Sequence, residues 1–169
     1  MSPRMETYLL QDDGRIPNND HLPLLLYRSV VGSEADAEAT FKRMFEERGW
    51  GGCWVNGIYP YHHYHARSHE VLGIAAGTAE VQFGGEQGPV IRVAAGDAVV
   101  IPAGVGHCRR DRSPGLVVIG AYPRGQEDWD LKRGTDAERS QALTEIPRVP
   151  LPEMDPVAGE GAGLARLWR

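Results

Sequence analysis

Four of the chain's six histidines fall within eight residues, in the stretch HHYHARSHE that runs from His62 to Glu70. Neutral imidazole ligates divalent metals, and a carboxylate among imidazoles completes a common donor set. Which of these side chains can face one point depends on the local backbone. In an extended stretch, alternate side chains point to opposite faces. His63 and His65 then share one face, and His62 and Tyr64 the other. Glu70 opens the apolar run EVLGIAA after a bend at ARS, and can point back towards His63 and His65. His69, its neighbour, faces the opposite way. A fourth group arrives from far along the chain, His107 in IPAGVGHCRRD. Three imidazoles and one carboxylate suit Fe, Ni, Cu or Zn, and the carboxylate makes the set acceptable to Mn as well. Four protein ligands leave one or two positions open on a five- or six-coordinate ion, where water, O₂ or a substrate oxygen can bind.

The same alternation places Tyr59 and Tyr61 on the face of His63 and His65, and Arg109 and Asp111 on the face of His107. Tyr59, Tyr61 and Arg109 are therefore the expected substrate-binding residues. Phenol hydroxyls can hydrogen-bond a bound molecule, and a guanidinium can hold a carboxylate or phosphate bidentately. The competing readings are core packing for the tyrosines and a surface ion pair with Asp111 for Arg109. Cys108 faces away from His107 and reads as a structural thiol. Trp50 and Trp54 are expected in the core, where their N–H groups need partners.

These residues must be positioned by a β scaffold. From Trp50 to Tyr122 the chain is a series of short apolar pieces, GCWVNGIY, YHHYHA, HEVLGIAA, AEVQFGG, PVIRVAA, DAVVIP, GHCRRD and LVVIGAY, punctuated by Gly, Pro and Asp. Such spacing predicts an antiparallel sandwich or barrel. Ahead of it, a short strand is expected at Tyr8–Gln11 and a second at Leu22–Val31, with Pro23 at its start or at an edge. Ser33 to Arg48 reads as one helix. Ser33 is the expected N-cap, Ala37, Phe41, Met44, Phe45 and Arg48 form the apolar stripe, and Gly49 stands at the C′ position. Beyond Pro123 the chain is polar and proline-rich, with a short helix expected near Asp136–Leu143. Leu164, Leu167 and Trp168 are expected to dock on the barrel or on a second subunit. The expected organisation is thus an N-terminal arm with strand and helix over 1–49, a barrel core over 50–123, and a docking C-terminal tail over 124–169.

At this point the sequence resembles the cupins. Their first motif, G-x5-H-x-H-x4-E-x6-G, is matched by Gly57, His63, His65, Glu70 and Gly77. Their second, G-x5-P-x-G-x2-H-x3-N, is matched by Gly96, Pro102, Gly104 and His107, with Asp111 where the pattern has Asn. The departing position is not a metal ligand in the family. The flanking pieces GRIPNN, LPLLLYR, NGIYPYHHYH, GHCR, GAYP and DPVAGEGAGLARLW resemble one branch, the YjlB-like cupins. The resemblance implies an all-β, double-stranded β-helix (jelly-roll) fold, with one flanking helix and a tail. It also implies metal ligation by His63, His65, Glu70 and His107. Small cupins commonly pair, so it further implies a homodimer.

The totals agree with a small-molecule role. The chain has 169 residues, a length that suits one domain. A net charge of −5 gives no electrostatic footprint for nucleic acid or an anionic membrane. No run approaches the roughly 20 apolar residues that span a bilayer. The two cysteines, Cys53 and Cys108, have no CxxC spacing and are expected to stay reduced, in keeping with a cytoplasmic protein. Two functions follow. One is a metal-dependent enzyme acting on a small polar molecule by oxygenase, isomerase or decarboxylase chemistry. The other is a non-catalytic small-molecule or metal-binding module. No helix-turn-helix accompanies the barrel, which argues against a transcription factor.

Overall fold

A computed structural model of the protein describes residues 4–33, 35–161 and 163–169. Nine strands run in chain order: β1 (Arg4–Leu10), β2 (Asn19–Arg28), β3 (Trp50–Asn56), β4 (Glu70–Ala76), β5 (Thr78–Phe83), β6 (Val90–Ala94), β7 (Ala98–Ile101), β8 (His107–Arg112) and β9 (Val117–Pro123). Helix α1 (Ala37–Glu47) lies between β2 and β3. Helices α2 (Asp136–Glu145) and α3 (Leu164–Leu167) follow the last strand. The strands form a six-stranded sheet of order β1-β2-β7-β4-β9-β3 and a three-stranded sheet of order β6-β5-β8. Every pairing is antiparallel. This is the all-β jelly roll that the sequence predicts.

The pattern of burial explains why β2, β4 and β7 read as unbroken apolar runs. Leu24 and Leu26 of β2 join Leu72 and Ile74 of β4, and Val81, Phe83, Ile91 and Val93 of the small sheet, in the core between the sheets. Leu25 and Tyr27, one residue out of phase, join Val71, Val100 and Ile119 on the outer face of the large sheet. That outer face is covered by Phe41 and Phe45 of α1, and by Leu164 and Trp168 near the C-terminus. A strand covered on both faces has no polar face to alternate with.

Helix α1 packs across β3, β4 and β9. A Cβ on Gly73 of β4 would meet the Phe41 ring at 2.6 Å, so glycine is what admits the ring against the sheet. The helix starts later than the sequence predicts. Asp36, not Ser33, is the N-cap, and its carboxylate accepts the Ala39 N–H at 3.2 Å. The preceding residues are used by a turn in which Ala35 N–H bonds Gly32 C=O. Gly49 does sit in the left-handed region, at φ +79°. Pro23 lies inside β2, not at its start. It is tolerated because the β7 ladder spans only Leu25–Tyr27, and the register with β1 shifts between Leu24 and Asn19.

The C-terminal segment returns to the outer face of β2. Trp168 Nε1 donates to the Pro23 carbonyl at 2.8 Å. The fully buried Asp155 carboxylate accepts the Tyr27 hydroxyl and the backbone N–H groups of Val157 and Leu164. Leu167 remains partly exposed. No helix among the described residues is long and apolar enough to cross a membrane.

Phe41 is wholly buried between helix and sheet. Phe41→Ala is expected to cost about 3–5 kcal/mol of stability, read as a lower urea midpoint at unchanged m-value.

Candidate metal centre

The histidine-rich stretch between β3 and β4 is not the strand the sequence suggests. It is an extended segment held by two isolated bridges to different partners. His63 exchanges both backbone hydrogen bonds with His107, at 3.2 and 2.9 Å, and Tyr64 exchanges both with Lys132, at 3.0 and 2.9 Å. Each bridge fixes one residue, and the extended backbone between them does the sorting. His63 and His65 turn to one side. Tyr64 turns to the other, into a small apolar cluster with Ile16, Ala66 and Ala142.

His63, His65 and His107 are all buried, and each offers a ring nitrogen within 4.8 Å of those of the other two. The His63 and His107 ring centroids are 4.0 Å apart. The remaining nitrogens are pinned from behind. His63 Nδ1 meets the Tyr61 carbonyl at 3.0 Å, His107 Nδ1 meets the Val105 carbonyl at 3.2 Å, and His65 Nδ1 meets the Asp130 carbonyl. A carbonyl only accepts, so each Nδ1 must carry the proton, and in the neutral ring each Nε2 presents a lone pair. Glu70, the first residue of β4, adds a buried carboxylate, with Oε1 3.1 Å from His107 Nε2 and 3.5 Å from His65 Nε2. Lone pairs and a carboxylate facing one another in a dry site need a cation between them, either protons or a metal ion. The donor set therefore fits a divalent metal.

The titration of the groups agrees with that demand. Burial, reinforced by His107 and His65, presses His63 down to about 2, so its imidazole stays neutral, the ligating form. Burial is also the largest influence on Glu70 and acts to raise it. His65 and His107 outweigh that influence and hold the carboxyl well below the usual carboxylate range. Burial lowers His65, but the Glu70 carboxylate beside it prevails and raises it.

The other histidines stand apart. His69 Nδ1 accepts the Ala103 N–H at 2.9 Å, its ring lies 4.8 Å from that of Trp168, and burial presses it down to about 3. His69 thus ties the loop before β4 to the C-terminal segment. His62 points elsewhere, and neither of its ring nitrogens has a hydrogen-bond partner among the described residues.

A cavity of about 560 Å³ opens onto the three imidazoles and Glu70. Tyr59 and Arg109 line it, and Arg109 N–H donates to the Tyr59 carbonyl at 3.0 Å. Tyr61 does not reach the lining. It stacks behind Tyr59 at 5.0 Å, and the Arg133 guanidinium lies 3.6 Å over its ring. Asp111 does not share the face of Arg109. In β8, Arg109 pairs with Val81 and Asp111 with Glu80, so Arg110 forms a bulge that reverses the alternation. The ion pair between Arg109 and Asp111 does not form. Cys108 is buried, while Cys53 is partly exposed.

Several contributors were not legible in the sequence. Trp54, read as a core residue, lines the cavity and donates from Nε1 to the Tyr122 hydroxyl at 2.8 Å. Tyr122 lies on the same cavity wall as Glu70, and burial first, then the Glu70 carboxylate, pushes its phenol far above its ordinary value, so it stays protonated. Trp129 stacks on Tyr122 at 5.8 Å and meets His65 edge-on at 5.3 Å. Asp130 supports the histidine segment twice. Its carbonyl pins His65, and its carboxylate accepts the N–H groups of Ala66 and Arg67 at 2.9–3.0 Å. A Trp-Asp pair in a polar tail carries no periodicity that would mark it.

Comparison with known proteins adds the following. The family model described as a cupin domain matches residues 54–119. The chain is 42% identical over 168 residues to the uncharacterized protein YjlB of Bacillus subtilis (strain 168), with 99% of each chain covered. Among solved structures, similarity extends to an acireductone dioxygenase from Bacillus anthracis with cadmium ion in its active center. That match has 18% identity and a TM-score of 0.37, and covers 56% of this chain and 67% of that one. Another is the DMSP lyase DddQ from Ruegeria pomeroyi DSS-3, at 20% identity and a TM-score of 0.36, covering 78% of this chain and 51% of that one.

Removing the Asp130 carboxylate leaves the Ala66 and Arg67 amides unpartnered. Asp130→Ala is expected to cost about 1–3 kcal/mol and to speed hydrogen exchange at those two amides selectively.

Proposed function

The chain belongs to the cupin family, and from that membership and the geometry of its site we propose that it is a metal-dependent enzyme acting on a small polar molecule at a centre formed by His63, His65, Glu70 and His107. One observation carries the reading: three buried imidazoles offer nitrogens within 4.8 Å of one another, each pinned from behind by a backbone carbonyl. The ion is a first-row divalent metal, Fe, Mn, Ni or Zn, which this mixture of imidazole and carboxylate suits. Bound there, it supplies Lewis acidity to an oxygen of the substrate. The reaction is of the oxygenase, isomerase or decarboxylase type.

The chain's own residues have separable tasks. The backbone carbonyls of Tyr61, Val105 and Asp130 hold the imidazoles in the ligating tautomer. Tyr122, anchored by Trp54, keeps its phenol protonated beside the Glu70 carboxylate. Tyr59 and Arg109 hold polar groups of the substrate at the mouth. Trp129 covers the His65 side and limits the entry of water. An open cavity reaching the imidazoles favours turnover over a purely scaffolding role. The homodimer belongs to the same reading. β1 ends the six-stranded sheet and leaves an edge along which a second copy can pair. Light scattering in solution is expected to give twice the monomer mass.

Elemental analysis of protein purified without a metal-affinity tag is expected to show near-stoichiometric transition metal. His65→Ala or His107→Ala should abolish it, and His62→Ala should leave it nearly intact. Loss of metal in His62→Ala alone would contradict the assignment.

A further inference from the structure

Charge and shape in the cavity specify more than a polar ligand. Among the lining residues, Glu70 and Arg109 are the one carboxylate and the one guanidinium. Glu70 is compensated by His65 and His107. Arg109 makes no side-chain hydrogen bond or ion pair among the described residues, although it is only partly exposed and shares the inward face of β8 with His107. A guanidinium beside a partly dry cavity without a counter-ion favours an anion, and its planar fork matches a carboxylate.

Much of the remaining wall is apolar, although Asn56 and Tyr59 also belong to it. Trp54, Val55, Ile58, Leu72, Tyr122 and Trp129 line the cavity. The rings are fixed before any ligand arrives. Trp54 is tethered to the Tyr122 hydroxyl and lies so close over Gly120 that any Cβ there would strike its indole. Trp129 stacks on Tyr122 with 21° between the ring planes. Rigid aromatic walls reward a flat apolar body. A space of about 560 Å³ also exceeds what a two- or three-carbon acid would fill.

We propose that this cavity binds a monocarboxylic acid with a ring-sized apolar body, its carboxylate on Arg109 and its body against Trp54 and Trp129. The proposal rests on the reading above only in taking this cavity as the functional site. It requires Arg109 whether or not a metal is bound.

Isothermal titration calorimetry on the full chain, both metal-loaded and chelator-treated, tests it with phenylacetate, acetate, phenylacetamide and phenyl phosphate. Phenylacetate should bind at least tenfold more tightly than acetate, since each buried methylene is worth about fourfold. It should also bind at least tenfold more tightly than the neutral amide, in both protein states. Arg109→Gln should lose about tenfold or more for phenylacetate but little for phenylacetamide, and Arg109→Lys should recover part of it. The wild-type ligand series needs no variant to fold. Equal binding of acid and amide would overturn the proposal, as would full binding by Arg109→Gln or a tenfold preference for phenyl phosphate. A protein that binds no metal yet keeps the Arg109-dependent preference would sink the metalloenzyme reading and leave this one standing. Stoichiometric metal without the preference would do the reverse.

Discussion

The structure depends on holding three imidazoles and a carboxylate together out of water. Each of these groups is costly to bury alone. The arrangement becomes tolerable because every imidazole has its outer nitrogen satisfied by a backbone carbonyl, and the inner nitrogens of His65 and His107 face one carboxylate. The three carbonyls belong to Tyr61, Val105 and Asp130. They come from the histidine segment itself, the turn before β8, and the segment after β9. No single element can form the site, so folding of the barrel and assembly of the centre are one event.

The scaffold around that centre is rigid because its middle strands are covered twice. The inter-sheet core and the outer layer of α1 and C-terminal residues use alternate side chains of the same strands. β4 therefore presents Glu70 from a strand with little freedom to shift. His69, one residue earlier, faces the opposite layer and packs against Trp168. The C-terminal segment thus buttresses the site from behind, while Trp129, just after β9, lines the cavity and Asp130 beside it holds the histidine segment.

The cavity itself is asymmetric. One side carries the imidazoles and Glu70, another the indoles and Tyr122, and the rim carries Arg109 and Tyr59. The bulge at Arg110 produces part of this asymmetry. It ends the inward run of β8 after Arg109 and turns Asp111 away, leaving the guanidinium without the acidic neighbour that regular alternation would supply.

What the sequence determined by itself was local. The spacing of His63, His65 and Glu70 decides their facing within a few residues, and His107 is marked by the turn residues that precede it. The strand pieces, the α1 stripe of Phe41 and Phe45 and an antiparallel sandwich or barrel follow from periodicity, while the jelly-roll class follows from the resemblance to the cupins. What only the tertiary structure decided was non-local or set by small backbone departures. Asp130 meets His65 across 65 positions of chain, and Tyr122 and Trp129 become site residues only once β9 and the segment after it close on the cavity. Asp36 displaced Ser33 as the cap because a turn had already used the preceding residues. The bulge at Arg110 reversed an alternation that holds only for a regular strand. Side-chain direction is fixed by residue type and spacing only while the backbone stays regular, and the contacts that bend it come from the rest of the fold.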